Sequence, residues 1–209
     1  MDAADPRPQD APKVRLLTVC TRNTCRSPYA AVLLREGLAR ARPGAFEVTS
    51  AGTHALVGRP MDAGSVERLG AKGLADDEFR SRLITPRLLQ EQAVVLLMAT
   101  EHRELVLDEA PAVHRRTFTI RELAQAIDAI AVRHSWLTLM AAAGASDVAS
   151  RWRALPELVA AHRRPGRDGR LDPDVIDPYG RGDRAFDRMV SELEPAARSI
   201  VMWERQFER

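Results

Sequence analysis

The chain has 209 residues, 45% hydrophobic and 29% charged, with 31 basic side chains against 29 acidic ones. That near balance excludes a bulk electrostatic claim on nucleic acid or a membrane surface, and no apolar run approaches the roughly 18 residues that span a bilayer. All the basic residues except Lys13 and Lys72 are arginines, which reads as a habit of genome composition. Such a chain is long enough to bury a sizeable core and most simply folds as one domain over 14–209. The polar, proline-rich stretch 1–13 lacks the apolar centre of a signal peptide and reads as a disordered arm. A cytoplasmic location is therefore expected, where the two cysteines, Cys20 and Cys25, stay reduced.

Taken in order, the elements alternate. A β-branched apolar run at 14–20 predicts a strand. A helical pattern follows, with Pro28 near its start, Ala30, Leu33, Leu34, Leu38 and Ala41 on one face, and Pro43-Gly44 as its stop. A second strand is expected at 46–52, a short helix at 61–73, a lead-in at 86–92 and a buried third strand at 93–99. Thr100 is placed to cap a helix over 101–110, and 113–120 reads as a fourth strand. Beyond it, Ile120, Leu123, Ala124, Ile127 and Ala131 share a helical face, and Trp152, Leu155 and Val159 mark another amphipathic helix. A basic loop at 162–170 precedes Asp172-Pro173, read as a turn. A last helix from Asp183 carries Phe186, Met189, Val190, Leu193, Ala197, Ile200 and Val201 on one side, with a kink or break expected near Pro195. Strands alternating with helices predict an α/β fold in three layers, doubly wound about a central four-stranded parallel sheet.

Ligands of such sheets bind at the carboxyl ends of strands, in loops that lead into helices. The stretch "CTRNTCRSP", residues 20–28, is such a loop. Its backbone amides, wrapped between a strand end and a helix start, form an anion-binding nest. Cys20 faces that field, which favours thiolate, and Arg26 can offer a bidentate fork to phosphate. A nucleophilic sulfur, a ring of amides and an arginine are what in-line attack on phosphorus requires. The spacing alone recurs by chance, and cysteines also serve as small buried apolar residues. The place in the strand–loop–helix unit is what gives it weight.

The loop closely resembles the low-molecular-weight protein tyrosine phosphatase signature, Cys-x-Gly-Asn-x-Cys-Arg-Ser-Pro. "SAGT" at 50–53 and "DPYG" at 177–180 agree with that family in order and position. The resemblance runs from about Val14 to Trp203 and implies an enzyme, a phosphomonoester hydrolase working through a phosphocysteine intermediate without cofactor or metal. It implies Cys20 as nucleophile, Arg26 as phosphate clamp and Asp177 as general acid. Thr21, Arg22, Asn23, Thr24, Cys25, Ser27 and Tyr179 then bind substrate. Within that set Asn23 takes a left-handed conformation, Ser27 steadies the thiolate and Tyr179 walls the substrate ring. Ser50 and His102 support the loop. Cys25 can form a protective disulfide with Cys20 under peroxide. The substrate implied is a phosphotyrosine protein; the oligomeric state stays open, a monomer being simplest.

Two departures from the family pattern stand out. Arg22 occupies the position of the family glycine, where it either points outward and favours acidic substrates or folds over the pocket and narrows access. The residues at about 120–170 are extra to the usual family length and read as added helical packing with the basic loop as a solvated or substrate-facing rim. A small-molecule phosphatase acting on a sugar or nucleoside phosphate is the alternative enzyme. Arsenate reduction needs further cysteines that this chain lacks, and a phosphate-binding module without turnover is the non-enzyme alternative.

Overall fold

Strand β1 (Val14–Cys20) is buried along nearly its whole length, so both of its faces must be covered. The computed structural model, which describes residues 13–162 and 172–208, does this with helices on each side. β1 lies between β2 (Phe46–Gly52) and β3 (Val94–Leu97), and β4 (Thr117–Thr119) completes a parallel sheet in the order β2-β1-β3-β4. Leu16 and Cys20 face one core with α1 (Arg26–Ala41), α5 (Ile120–Ala131), α7 (Val148–His162) and α8 (Asp183–Arg205). Leu17 and Val19, pointing the other way, pack with Leu89 of α3 (Pro86–Gln90) and Val106 of α4 (His102–Glu109). Because the chain leaves β1 for β2 on one side and returns to β3 on the other, the order reverses at β1. The loop after β1 therefore opens into the crevice such a reversal creates.

Several expectations change in detail. The segment 113–120 is not one strand: Pro111 starts a 3-10 turn, Pro111–Arg116, and only Thr117–Thr119 pairs with β3. Thr100 does not cap α4. Its amide and hydroxyl hold the Asp174 carboxylate instead, at 2.7 and 3.2 Å. α8 runs unbroken through Pro195, because the buried side chains from Leu193 to Ile200 hold it against the core. Ala131 is exposed rather than on the buried face. Residues 86–90 are helical, and the helical packing expected over 120–170 includes a short helix not singled out in the sequence, α6 (Trp136–Ala142), capped by Ser135. α2 (Ala63–Gly70) is capped by Asp62. The expected arm lies outside the described residues up to residue 12, as does the basic loop from residue 163 onward. No helix among the described residues is long and apolar enough to cross a membrane.

Candidate active site

The loop after β1 turns so sharply that Asn23 takes φ 56°, the one positive-φ residue besides glycine among those described. Asparagine tolerates this region because its short side chain can bond locally. Here that side chain is fully used. Its amide nitrogen donates to Ser27 Oγ (2.9 Å) and Ser50 Oγ (2.8 Å), and its oxygen accepts from the Arg82 amide (2.9 Å). Arg82 also donates to the Ser50 carbonyl at 3.0 Å.

The loop's carbonyls are drawn outward. Thr53, His54, Leu56 and Asp62 donate their amides to the carbonyls of Cys20, Thr21, Arg22 and Thr24, at 2.9, 2.8, 3.2 and 2.9 Å. Ser65 Oγ donates to the Cys25 carbonyl at 3.2 Å. With the carbonyls engaged on the outside, the amides of Arg22, Thr24, Cys25 and Arg26 have no acceptor among the described residues. They form a concave ring of donors at the N-terminus of α1, which is the arrangement that receives an oxyanion.

Cys20 Sγ sits in that ring, buried. The Asn23 amide donates to it at 3.3 Å and Ser27 Oγ lies 3.0 Å away. Arg26 is 3% exposed. One terminal nitrogen donates to the Val175 carbonyl (3.2 Å); the other meets Asp177 Oδ2 at 2.9 Å and Thr21 Oγ1 at 3.4 Å. Its Nε has no partner, which leaves a buried donor available. Cys20, Arg22, Thr24, Cys25, Arg26, Asp177 and Tyr179 thus line one cavity of about 10 Å³. Thr21, Asn23 and Ser27, expected to bind substrate, and the supporting Ser50 and His102 are not among its lining residues.

His102 is buried at the start of α4. Its Nδ1 accepts the Ala99 amide at 3.1 Å, so Nε2 carries the proton that faces Thr21 Oγ1 at 3.1 Å. Burial, helped by the nearby Arg26 charge, pulls its pKa down to about 4, so the ring is neutral. Burial pushes the Cys25 thiol up to about 12, against the weaker pull of its Thr24 contact.

Asp177 and Asp172, alike in sequence, part company here. Asp172 Oδ1 only accepts the Asp174 amide at 2.9 Å. Asp177 accepts the Tyr179 amide (3.2 Å) with one oxygen and reaches Arg26 with the other. The backbone before it is pinned: Arg121 donates to the Asp174 carbonyl (2.6 Å), Met98 accepts the Val175 amide (2.8 Å), and Glu192 accepts the Ile176 amide (2.8 Å). Arg82, Asp62, Ser65, Arg121 and Glu192 were not foreseen, and nothing in their local sequence marks them. Gly52 belongs to the SAGT motif, and only the fold shows why glycine is needed there. A Cβ there would lie 2.6 Å from the Thr21 carbonyl oxygen and 3.0 Å from the Asn23 amide nitrogen.

Residues 15–133 match the family model described as low molecular weight phosphotyrosine protein phosphatase. The probable low molecular weight protein-tyrosine-phosphatase EpsP of Ralstonia nicotianae is 34% identical over 110 residues, 53% of this chain and 72% of that protein. A protein-arginine-phosphatase of Geobacillus stearothermophilus is 33% identical over 114 residues, 54% of this chain and 74% of that one. Among solved structures, the low molecular weight protein tyrosine phosphatase from T. tengcongensis shares the fold with a TM-score of 0.64 at 24% identity, covering 91% of this chain and 99% of that one. The family-model match over more than half its length makes this chain a member of the low-molecular-weight phosphotyrosine protein phosphatase family of cysteine-dependent hydrolases.

Proposed function

We propose that this chain hydrolyses phosphotyrosine in proteins, with Cys20 as nucleophile, Arg26 as phosphate clamp and Asp177 as general acid. The observation that carries the reading is the convergence of the Cys20 sulfur, the free loop amides and the Arg26–Asp177 pair on one cavity. The entering phosphoryl group takes the Arg26 guanidinium from Asp177 and lies against the amide ring. The Cys20 thiolate, held by the Asn23 amide and the Ser27 hydroxyl, attacks phosphorus in line. The P–O bond to the tyrosine oxygen breaks as protonated Asp177 gives that oxygen its proton. A water then attacks the phosphocysteine, losing its proton to Asp177, and the S–P bond breaks to release phosphate and the thiolate. Neutral His102 orients Thr21 and, through it, the terminal nitrogen of Arg26. The cytoplasm, where both thiols stay reduced, suits this chemistry.

The test is Asp177→Asn, which keeps the size of the side chain but cannot give up a proton. Phosphotyrosine peptide turnover should fall by ~10²–10⁴-fold. A nitrophenyl phosphate, whose leaving group departs with little help, should lose far less, and the acidic limb of the pH profile should change. Asp172→Asn should leave both substrates nearly unaffected. One small, equal loss on both substrates would make Asp177 a turn residue and sink the assignment. The wild-type panel should include phosphoarginine peptide, since a relative of similar identity is a protein arginine phosphatase, together with sugar phosphates and nucleotides. Preference for any of those over phosphotyrosine would replace the substrate.

A further inference from the structure

Arg22 stands where the family signature has glycine, and the structure puts its guanidinium 4.1 Å over the centre of the Tyr179 ring. The contact is a cation–π one, and no N–H of the guanidinium has a hydrogen-bond partner among the described residues. No carboxylate pairs with Arg22 among the described residues. The nearest acid in the cavity, Asp177, is committed to Arg26 and to the Tyr179 amide. The backbone on either side is held, by the Leu56 amide on the Arg22 carbonyl and by the Asp177 turn under Tyr179. A positioned, half-buried cation with free donors thus stands at the mouth of a cavity that already receives a phosphoryl group.

From this geometry we infer that Arg22, seated on Tyr179, is a second anion subsite that selects phosphotyrosine flanked by acidic side chains. The inference rests on the phosphotyrosine reading above and adds the substrate's neighbours to it. Arg22 covers one face of the Tyr179 ring, so a substrate ring cannot use that face unless Arg22 moves. A carboxylate beside the phosphotyrosine gives the unpaired N–H groups of Arg22 a partner at the cavity mouth. A neutral or basic neighbour gives none, and a basic one is repelled. The contact exists in the bound substrate as well as in the transition state, so it acts chiefly on KM.

The experiment uses three peptides that differ only in the residues flanking phosphotyrosine, which are Glu, Gln or Lys, with nitrophenyl phosphate as an unflanked reference. A partly exposed Arg–carboxylate contact is worth roughly a three- to tenfold preference. Wild type should rank Glu above Gln above Lys in kcat/KM by about that factor per step, with the preference shrinking as salt is raised. In Arg22→Gly and in Arg22→Gln, which retains bulk at the mouth, the ranking should collapse towards equality whatever happens to the absolute rate. Equal hydrolysis of the three peptides by wild type, or an unchanged ranking in both variants, overturns the subsite and leaves the phosphotyrosine reading standing. Hydrolysis of nitrophenyl phosphate with refusal of all three peptides overturns both.

Discussion

Replacing His102 by asparagine tests the burial of the site at a residue that carries no chemistry. The folded protein holds His102 neutral down to about pH 4, whereas the unfolded chain protonates it below its ordinary value of 6.5. Between those values the unfolded state binds the extra proton, so this group's contribution is complete above pH 6.5 and is lost as pH falls through the window. The difference of about 2.5 pH units corresponds to roughly 3 kcal/mol, of which about 2 kcal/mol is lost by pH 5. Other carboxylates titrate in the same range, so the informative quantity is the difference between wild type and variant. His102→Asn should be less stable at pH 7, having lost its bonds to the Ala99 amide and Thr21. Its disadvantage should narrow by about 2 to 3 kcal/mol as pH drops from 7 to 4, measured by urea unfolding at each pH. A gap that stayed constant across that range would mean that His102 is not held neutral by burial, and its tautomer assignment would fall with it.

Gly52→Ala forces a Cβ against the loop backbone rather than against a side chain that can turn away, so it should cost about 1–3 kcal/mol. The melting temperature should drop by several degrees and turnover should fall with it, while Gly70→Ala, which meets nothing within 4 Å, should do neither. Peroxide should convert the Cys20 thiolate to a sulfenic acid, which the Cys25 thiol then displaces with loss of water to give the disulfide. Because the Cys25 thiol is pushed up to about 12, its thiolate is scarce at neutral pH. Ring closure, followed by loss of trappable sulfenic acid, should accelerate about tenfold per pH unit between 7 and 9. Over-oxidation of Cys20 should be faster in Cys25→Ser at every pH, and equal protection without Cys25 would remove its guard role.

What could be read from the sequence was local. β1 and β2 were legible to the residue because runs of β-branched and apolar side chains end at Cys20 and Gly52. The strand expected at 113–120 failed because Pro111 locks the backbone into a 3-10 turn before pairing begins. Thr100 failed as a cap because a partner 74 residues away, Asp174, outcompeted the helix amides. Of the kink or break expected at Pro195, the break does not occur: the cost of an interior proline, ~3 kcal/mol in isolation, is opposed by the burial of Leu193, Ala196, Ala197 and Ile200 along the same helix. The site divides the same way. Cys20, Asn23, Arg26 and Ser27 lie within one short loop and were visible together. The outward pull of Asp62 and Ser65 on the loop carbonyls comes from segments whose sequences carry no sign of it.

Arg22 and the helices α6 and α7, which fall within the 120–170 segment, sit at opposite ends of the sheet, and this separates their consequences. Phe46 opens β2 and Gly52 closes it beside the cysteine loop, so the strand's seven residues span about 20 Å. Trp152 of α7 packs edge-on against Phe46 at 5.4 Å and against Trp203 of α8 at 5.1 Å, while Trp136 of α6 meets Trp203 at 5.8 Å. Among them Glu204, fully buried, accepts from Arg42 (3.1 Å), Arg151 (2.5 Å) and Trp152 Nε1 (3.0 Å). A buried carboxylate yields little net stability, but it admits only the packing that satisfies all three donors. It therefore fixes the register of α7 against α8 and the end of α1. The helices α6 and α7 thus brace the end of the sheet where β1 and β2 begin, remote from Cys20. Neither helix contributes a residue to the lining of the cavity at Cys20. Among the described residues Arg22, one side chain at the other end, lines that cavity, so a change of specificity relative to the family is to be sought there first.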